Sequence, residues 1–254
     1  MKDGFIRVAA ATPDIHVADP QYNSEQIIEL MEQGSTRGVK VMAFPELCLT
    51  AYTCSDLFLQ ESLLREAKKE LKRILQASKS KDMILFVGMP WMHKGKLYNV
   101  AAVLNRGRIL GIVPKKHLPN YSEFYELRHF NPGMEKVEMT DWEGVQVPMG
   151  MNLLFACRTM LELVLAAELC EDVWVPCPPS ISHALAGATV IANCSASDET
   201  TGKDQYRYNL ICGQSARLVC GYIYANAGEG ESSQDLVFGG HNIIAENGTR
   251  LTES

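Results

Sequence analysis

The sequence predicts a single α/β domain over residues 1–254, and two observations support this. The chain has 254 residues, of which 46% are hydrophobic and 21% charged, which is ordinary for a globular protein with a substantial core. Short apolar runs alternate along it with amphipathic stretches, a pattern typical of strands that alternate with helices. No repeat, low-complexity linker or shift in composition marks a second domain.

The apolar runs are short and rich in residues that favour buried strands. The longest contains Asn105-Arg106-Gly107-Arg108 near its middle. It is therefore predicted to be a hairpin that carries Pro114 and Lys115 at its end. The predicted strands are residues 6–11, 39–44, 83–89, 97–113 with its turn, 153–156, 163–169, 189–192 and 221–225.

Two helices are predicted in the first third of the chain. Asn23 is followed three residues later by Gln26, which resembles a capping signal for a helix that runs up to Gly38. From Leu63 to Leu75, apolar residues keep a 3.6-residue period while basic residues occupy the opposite face. That basic run is predicted to be a solvated helix face rather than an anion site. The chain stops at residue 254 without a predicted closing element.

Charge and cysteine usage exclude several classes of protein. The formal charge of −6 leaves no clustered basic face for nucleic acid. The apolar stretch at 160–170 is broken by Glu162 and Glu168, and neither a membrane span nor a secretory signal is expected. The eight cysteines form no CxxC and have no histidine pair at ligand spacing, so we expect reduced thiols, a cytoplasmic location and no metal site.

Three segments place a reactive or charged residue where an apolar strand ends. Glu46 follows the strand at 39–44, and Lys115 opens a loop dense in proline, aromatic and charged residues. Cys170 leaves the strand at 163–169 just before a tight turn, the pattern of a nucleophile elbow that exposes a sulfur atom. Taken singly, each residue also has a non-catalytic interpretation, as a surface glutamate, a surface lysine and a core thiol respectively. His117 is predicted to be structural rather than catalytic.

The three segments together resemble the nitrilase, or carbon–nitrogen hydrolase, superfamily, whose members carry a Glu–Lys–Cys triad in this chain order. The matching motifs are Phe-Pro-Glu46, Pro-Lys115-Lys-His-Leu-Pro and Glu-Leu-Cys170-Glu-Asp. Longer matches at residues 44–58, 118–126, 170–176 and 238–248 are similar to the glutaminase domains of glutamine-dependent NAD synthetases. The resemblance covers essentially the whole chain and implies the four-layer α-β-β-α sandwich of the nitrilase fold.

The resemblance also implies a reaction and a set of roles. Cys170 would attack the side-chain amide of glutamine, Glu46 would shuttle the proton, and Lys115 would stabilise the oxyanion. Glutamate and ammonia would leave through a cysteine thioester. Glu123, eight residues beyond Lys115, would be the second glutamate that supports the lysine, and the backbone N–H of Glu171 is a candidate oxyanion donor.

For substrate binding the resemblance indicates six residues, of which Glu171 would bind the α-ammonium group. Position 203 carries arginine in the family pattern, whereas Lys203 keeps the charge but cannot form a bidentate fork with a carboxylate. The implied substrate-binding set is Tyr52, Tyr121, Phe124, Glu171, Ser197 and Lys203.

The resemblance implies partners as well. The glutaminase reaction would need no cofactor, while ATP and Mg²⁺ would serve only a synthetase domain, whose Ser-Gly-Gly-x-Asp-Ser motif does not occur here. The chain is therefore expected to be the N-terminal part of a longer enzyme, to supply ammonia to a synthetase domain, and to form a homo-oligomer. The alternatives are a stand-alone ω-amidase or nitrilase, and a catalytically silent oligomerisation or regulatory domain.

Overall fold

The computed structural model describes residues 4–254, which form two mixed β-sheets packed face to face with helices on both outer faces. This confirms the predicted α-β-β-α sandwich. Within the described residues, no helix is both long and apolar enough to cross a membrane.

The first sheet has seven strands in the order β1-β2-β3-β4-β5-β7-β6. Strands β1, β2 and β3 are parallel, and β3, β4 and β5 form an antiparallel meander, so the predicted hairpin is confirmed. The strands are β1 (Val8–Ala10), β2 (Val41–Ala43), β3 (Ile84–His93), β4 (Lys96–Asn105), β5 (Arg108–Pro114), β6 (Glu138–Trp142) and β7 (Val145–Met149).

The second sheet has six strands in the order β13-β12-β11-β10-β9-β8. Its three central strands, β9, β10 and β11, are parallel and largely buried, whereas β13 at the edge is exposed along its whole length. The strands are β8 (Phe155–Ala156), β9 (Val164–Leu169), β10 (Val190–Ser195), β11 (Gly221–Asn226), β12 (Ile243–Glu246) and β13 (Thr249–Glu253).

Three of the four hydrophobic clusters formed by the described residues hold the layers together. The central core lies between the sheets, where Phe86 and Val103 of the first meet Leu165 and Ile223 of the second. The outer cores attach α1 (Pro20–Thr36) and α2 (Glu61–Ser78) to the first sheet, and α3 (Pro179–Leu185) and α4 (Lys203–Leu218) to the second. Because the sheets are covered on both faces, only their strand ends and connecting loops are available to build a site.

The structure corrects two predictions about element ends. Helix α1 begins earlier than predicted: Asp19 is its N-cap, accepting a hydrogen bond from the Tyr22 N–H at 3.1 Å, and Pro20 opens the first turn. Asn23 lies inside the helix and binds the backbone of His16 instead. The prediction of no closing element is also wrong, because the final residues form β13, paired antiparallel with β12.

Candidate active site

Glu46 lies in the turn that follows β2 and is completely buried. Its Oε1 accepts hydrogen bonds from Lys115 Nζ and from Asn99 Nδ2, both at 2.6 Å. Its Oε2 accepts from the Ala196 N–H at 3.0 Å. The carboxylate is therefore fixed in place by donors from both sheets, as a general base must be if it is to act repeatedly on one atom.

Lys115 follows the last residue of β5 and is also completely buried. Besides Glu46, its Nζ contacts Glu126 Oε1 at 2.6 Å, and the Tyr52 hydroxyl donates to that same oxygen at 2.9 Å. Burial alone would lower the pKa of Lys115, but Glu126 and then Glu46 outweigh it and hold this pKa well above its ordinary value. The lysine is thus a permanent buried cation.

The predicted role of Glu123 is wrong, because Glu126 supplies the second carboxylate at Lys115. The loop turns between these residues, as the Phe124 N–H donates to the Tyr121 carbonyl at 2.9 Å. Glu126 is turned inward and buried, while Glu123 is half-buried on the wall of a neighbouring pocket. Burial raises the pKa of Glu126 to about 7, against the opposing effect of Lys115.

Cys170 occupies the elbow where β9 runs into a short 3₁₀ helix, Cys170–Val173. Its φ of 39° lies in the left-handed region that residues with a Cβ rarely adopt, the kind of backbone strain that clusters at functional sites. The side chain is 5% exposed, so the sulfur is enclosed by protein rather than open to bulk solvent.

The charges around Cys170 identify its neighbours. Burial and then the Glu46 carboxylate raise the pKa of the Cys170 thiol well above its ordinary value, while Lys115 and a hydrogen bond with Ser195 act in the opposite direction. The structure therefore brings Glu46, Lys115 and Cys170 together. The raised pKa favours the thiol form, so the sulfur needs a neighbouring base before it can attack a carbonyl carbon.

Buried polar side chains fix the elbow through hydrogen bonds to its backbone. The Cys170 N–H donates to Asn193 Oδ1 at 3.1 Å, which leaves the N–H of Glu171 as the next donor along the elbow. Asp172 accepts from the Leu169 N–H at 3.1 Å and from the His117 N–H at 2.8 Å. This buried carboxylate ties the nucleophile strand to the loop that carries Lys115, and its burial raises the pKa of Asp172 to about 7.

Four of the predicted substrate-binding residues lie around one side of the site. The Tyr121 hydroxyl donates to Glu171 Oε2 at 3.0 Å, and the ring of Tyr121 meets that of Phe124 edge-on at 5.7 Å. The Lys203 ammonium lies 5.9 Å from the centre of the Phe124 ring and forms an ion pair with Asp198. Aromatic walls, a carboxylate and an ammonium group therefore meet here.

The other two predicted residues have different surroundings. Tyr52 binds Glu126 and lines, with Glu126, a cavity of about 380 Å³ that lies beside the triad. Ser197 follows β10, and its hydroxyl accepts a hydrogen bond from the buried Arg207 at 3.3 Å. Among residues 4–254, no group of three or more His, Cys, Asp or Glu side chains is arranged to hold a metal ion.

Sequence reasoning missed Asn99, Glu126 and Asn193, all of which contact the site. Glu126 stands at the end of the quoted motif at 118–126, so its signal was present but was assigned to the wrong glutamate. Asn99 and Asn193 are buried polar residues within mainly apolar strands. A buried amide in such a strand needs hydrogen-bond partners, and that requirement is the only sequence signal that could have singled them out.

Known proteins are similar to this chain along nearly its whole length. The family described as "Carbon-nitrogen hydrolase" matches residues 7–253. The glutamine-dependent NAD(+) synthetase of Mycobacterium leprae is 42% identical over 251 residues, which cover 99% of this chain and 37% of that protein. The glutamine-dependent NAD(+) synthetase structure from Cytophaga hutchinsonii has a TM-score of 0.88 at 28% identity, covering 98% of this chain and 40% of that one.

A smaller protein shares the fold. An amidase of the nitrilase superfamily from Nesterenkonia AN1 has a TM-score of 0.77 at 20% identity, covering 98% of this chain and 86% of that one. At this identity the likeness concerns the fold alone. The chain thus spans well under half of the synthetases it matches but nearly the whole length of the amidase.

Proposed function

The chain belongs to the carbon–nitrogen hydrolase family, and from that premise we propose that it hydrolyses the side-chain amide of glutamine to glutamate and ammonia. The observation that carries the proposal is the buried ion pair of Glu46 and Lys115 near Cys170, whose backbone has a positive φ. Burying such a pair costs desolvation energy that a purely structural role would not require. Here the charges of the pair act on Cys170, whose sulfur is a group that can attack an amide.

In the first half of the reaction, the Cys170 sulfur attacks the carboxamide carbon and its proton passes to Glu46. The tetrahedral intermediate carries a negative oxygen, which Lys115 and the Glu171 N–H stabilise. Glu46 then gives the proton to the amide nitrogen, the C–N bond breaks, and ammonia leaves. The product of this half is a thioester between Cys170 and the γ-carbonyl of the substrate.

In the second half, water replaces the thiol. Glu46 accepts a proton from the attacking water, and the second tetrahedral intermediate uses the same oxyanion donors. The C–S bond breaks, the sulfur recovers a proton from Glu46, and glutamate leaves. No electron acceptor or cofactor is needed, because the reaction only exchanges an amide nitrogen for a water oxygen.

Glutamine selection is proposed to depend on the charged groups at the mouth of the site. Glu171 would bind the α-ammonium group, and Lys203 would attract the α-carboxylate. Burial raises the pKa of Glu171, and the Tyr121 hydrogen bond acts against that shift by stabilising the carboxylate. Because Lys203 is already paired with Asp198, the carboxylate would have to share this cation, which favours a weaker grip than an arginine fork would give.

A comparison of amides tests this proposal. Glutamine should release ammonia, and 4-carbamoylbutanoate, which lacks the α-ammonium group, should have a kcat/KM about 10- to 150-fold lower through loss of one charge-assisted hydrogen bond. Glu171→Gln should lower kcat/KM for glutamine and leave that for the analogue nearly unchanged, while Glu123→Gln serves as a control. Equal rates for the two amides would instead favour an ω-amidase, and no release from either would favour a silent domain.

The proposal also covers the partner domain, the cellular compartment and self-association of the protein. Since the synthetases that match this chain are much longer, we propose that the ammonia is delivered to an NAD synthetase domain that binds ATP and Mg²⁺. All eight cysteines are free, which supports a reducing compartment such as the cytoplasm. Self-association is proposed from the family resemblance and is tested by measuring the mass of the protein in solution.

A further inference from the structure

Gly88 lies in β3 at the point where the turn carrying Glu46 crosses the strand. The Leu49 N–H donates to the Gly88 carbonyl at 3.2 Å, so the turn lies directly on the strand. A Cβ at position 88 would stand 2.2 Å from the Pro45 carbonyl oxygen, 2.4 Å from the Leu47 nitrogen and 2.8 Å from the Glu46 carbonyl carbon. Since all three are backbone atoms, none could rotate aside.

The far side of the same turn is also fixed. The Glu46 N–H donates to the Ser195 carbonyl at 3.2 Å, and Ser195 belongs to the opposite sheet. The turn is therefore clamped between the two sheets, with Gly88 on one side and Ser195 on the other. Relieving a 2.2 Å contact to an ordinary separation needs a movement of about 1 Å, and that movement would push Glu46 towards β10.

Gly133 has the corresponding position at the lysine. Its N–H donates to the Lys115 carbonyl at 2.7 Å. A Cβ at position 133 would stand 2.9 Å from both the Lys115 and the Pro114 carbonyl oxygens. This overlap is smaller than the one at Gly88, so a smaller displacement of the lysine would relieve it.

We propose that Gly88 and Gly133 are positioning residues that set where Glu46 and Lys115 stand relative to Cys170. Neither glycine needs a positive φ here, so the requirement is for space against the backbone rather than for conformational freedom. The inference rests on the proposed amide hydrolysis for its activity readout. It has a second readout in the reaction of Cys170 with iodoacetamide, in which the sulfur bonds to the CH2 carbon, iodide leaves, the thiol proton passes to Glu46 and no C–N bond is broken.

The experiment compares four alanine variants. Gly88→Ala should lower kcat for glutamine by about 100-fold with little change in KM, because a displacement of about 1 Å costs that much when reacting groups are misaligned. Gly133→Ala, with the smaller overlap, should lower kcat by about tenfold. Alkylation of Cys170 by iodoacetamide should slow in the same order.

Two further variants control for damage to the fold. A Cβ at Gly34 would stand 2.2 Å from Met42 Cε, the end of a flexible side chain in the outer core, so Gly34→Ala perturbs side-chain packing and not the backbone of the Glu46 turn. A Cβ at Gly213 meets nothing within 4 Å, so Gly213→Ala should leave the activity unchanged. Both should keep the wild-type kcat, even where Gly34→Ala lowers the melting temperature.

The outcomes separate the inference from the proposed function. A folded Gly88→Ala that alkylates and turns over like the wild type would overturn the inference. So would a decrease in kcat for Gly88→Ala no larger than that for Gly34→Ala when the two variants have equal melting temperatures. If Gly88→Ala does not fold, Gly133→Ala decides by the same criteria. A wild type that alkylates at Cys170 but releases no ammonia from glutamine would refute the glutamine proposal alone.

Discussion

Replacing Cys170 with alanine is expected to lower ammonia release from glutamine on the order of 10⁶-fold, the size of effect seen when the nucleophile of a hydrolase is removed. Burial raises the pKa of Cys48, Cys54 and Cys220 to about 12 each, and Lys115, which lowers the pKa of Cys170, does not act on these three thiols. They are therefore not expected to replace Cys170. Cys177 is exposed, and Cys177→Ala is therefore the matched control.

The measurement is the steady-state rate of ammonia release by both variants, together with their melting temperatures. Cys170→Ala removes a small buried atom, so it should remain folded, and Cys177→Ala should match the wild type in every respect. A folded Cys170→Ala that retains more than about a thousandth of the wild-type kcat would remove Cys170 from the mechanism, since loss of a nucleophile leaves less than that.

Replacing Lys115 with methionine should damage both catalysis and folding. Glu46 and Glu126 would face each other without their shared cation, and an unpaired buried charge destabilises a protein by about 3–5 kcal/mol. Loss of an oxyanion donor should lower kcat by about 10²- to 10³-fold in the fraction that folds. Lys116→Met is the control, since the adjacent Lys116 uses its backbone N–H to reach Asp172.

The stability of Lys115→Met should depend on pH with a definite sign. Burial raises the pKa of Glu126 to about 7 even in the presence of the lysine, whereas an unfolded glutamate titrates near about 4.3. Between these values the folded protein holds a proton that the unfolded chain has released, so stability falls as the pH rises. Without the lysine, the pKa of Glu126 in the folded protein rises further, so Glu126 stays protonated up to a higher pH. The free energy of unfolding of Lys115→Met should therefore lie closest to that of the wild type at a pH of about 5, and fall further below it as the pH rises.

Chemical denaturation at several pH values measures this difference. A deficit that is independent of pH would mean that the two carboxylates are not the groups Lys115 compensates. A folded variant with wild-type stability and turnover would contradict the whole assignment of the lysine.

How far the sequence predicted the fold depended on where apolar residues fall. The buried strands were visible because their apolar residues are contiguous, as in β3 and β4. Helix α4 was missed because its buried face carries Arg207, Gln214 and Ser215, which leave no apolar period to detect. Strand β13 was missed because all of its residues are exposed, so no alternation of buried apolar residues marks it as a strand.

Some residues of the candidate site could be predicted from the sequence and others could not. Glu46, Lys115 and Cys170 could be predicted because each ends an apolar strand within a recognisable motif, and parallel and antiparallel strand ends converge at one edge of the sandwich. The choice between Glu123 and Glu126 could not, because it depends on a turn whose residue Ser122 has a φ of 49°. The role of Gly88 depends on atoms from two distant segments and is visible only once the chain is folded.

The central claim is that Cys170 is a nucleophile in a glutamine-binding site, and covalent labelling tests it most directly. The protein is treated with an electrophilic analogue of glutamine, with and without excess glutamine, and the adduct is located by intact mass and peptide mapping. If Cys170 is this nucleophile, labelling gives one adduct per chain, confined to Cys170 among the eight thiols and slowed by glutamine. An unmodified Cys170, or one that reacts no faster than the other cysteines and without protection by glutamine, would contradict it.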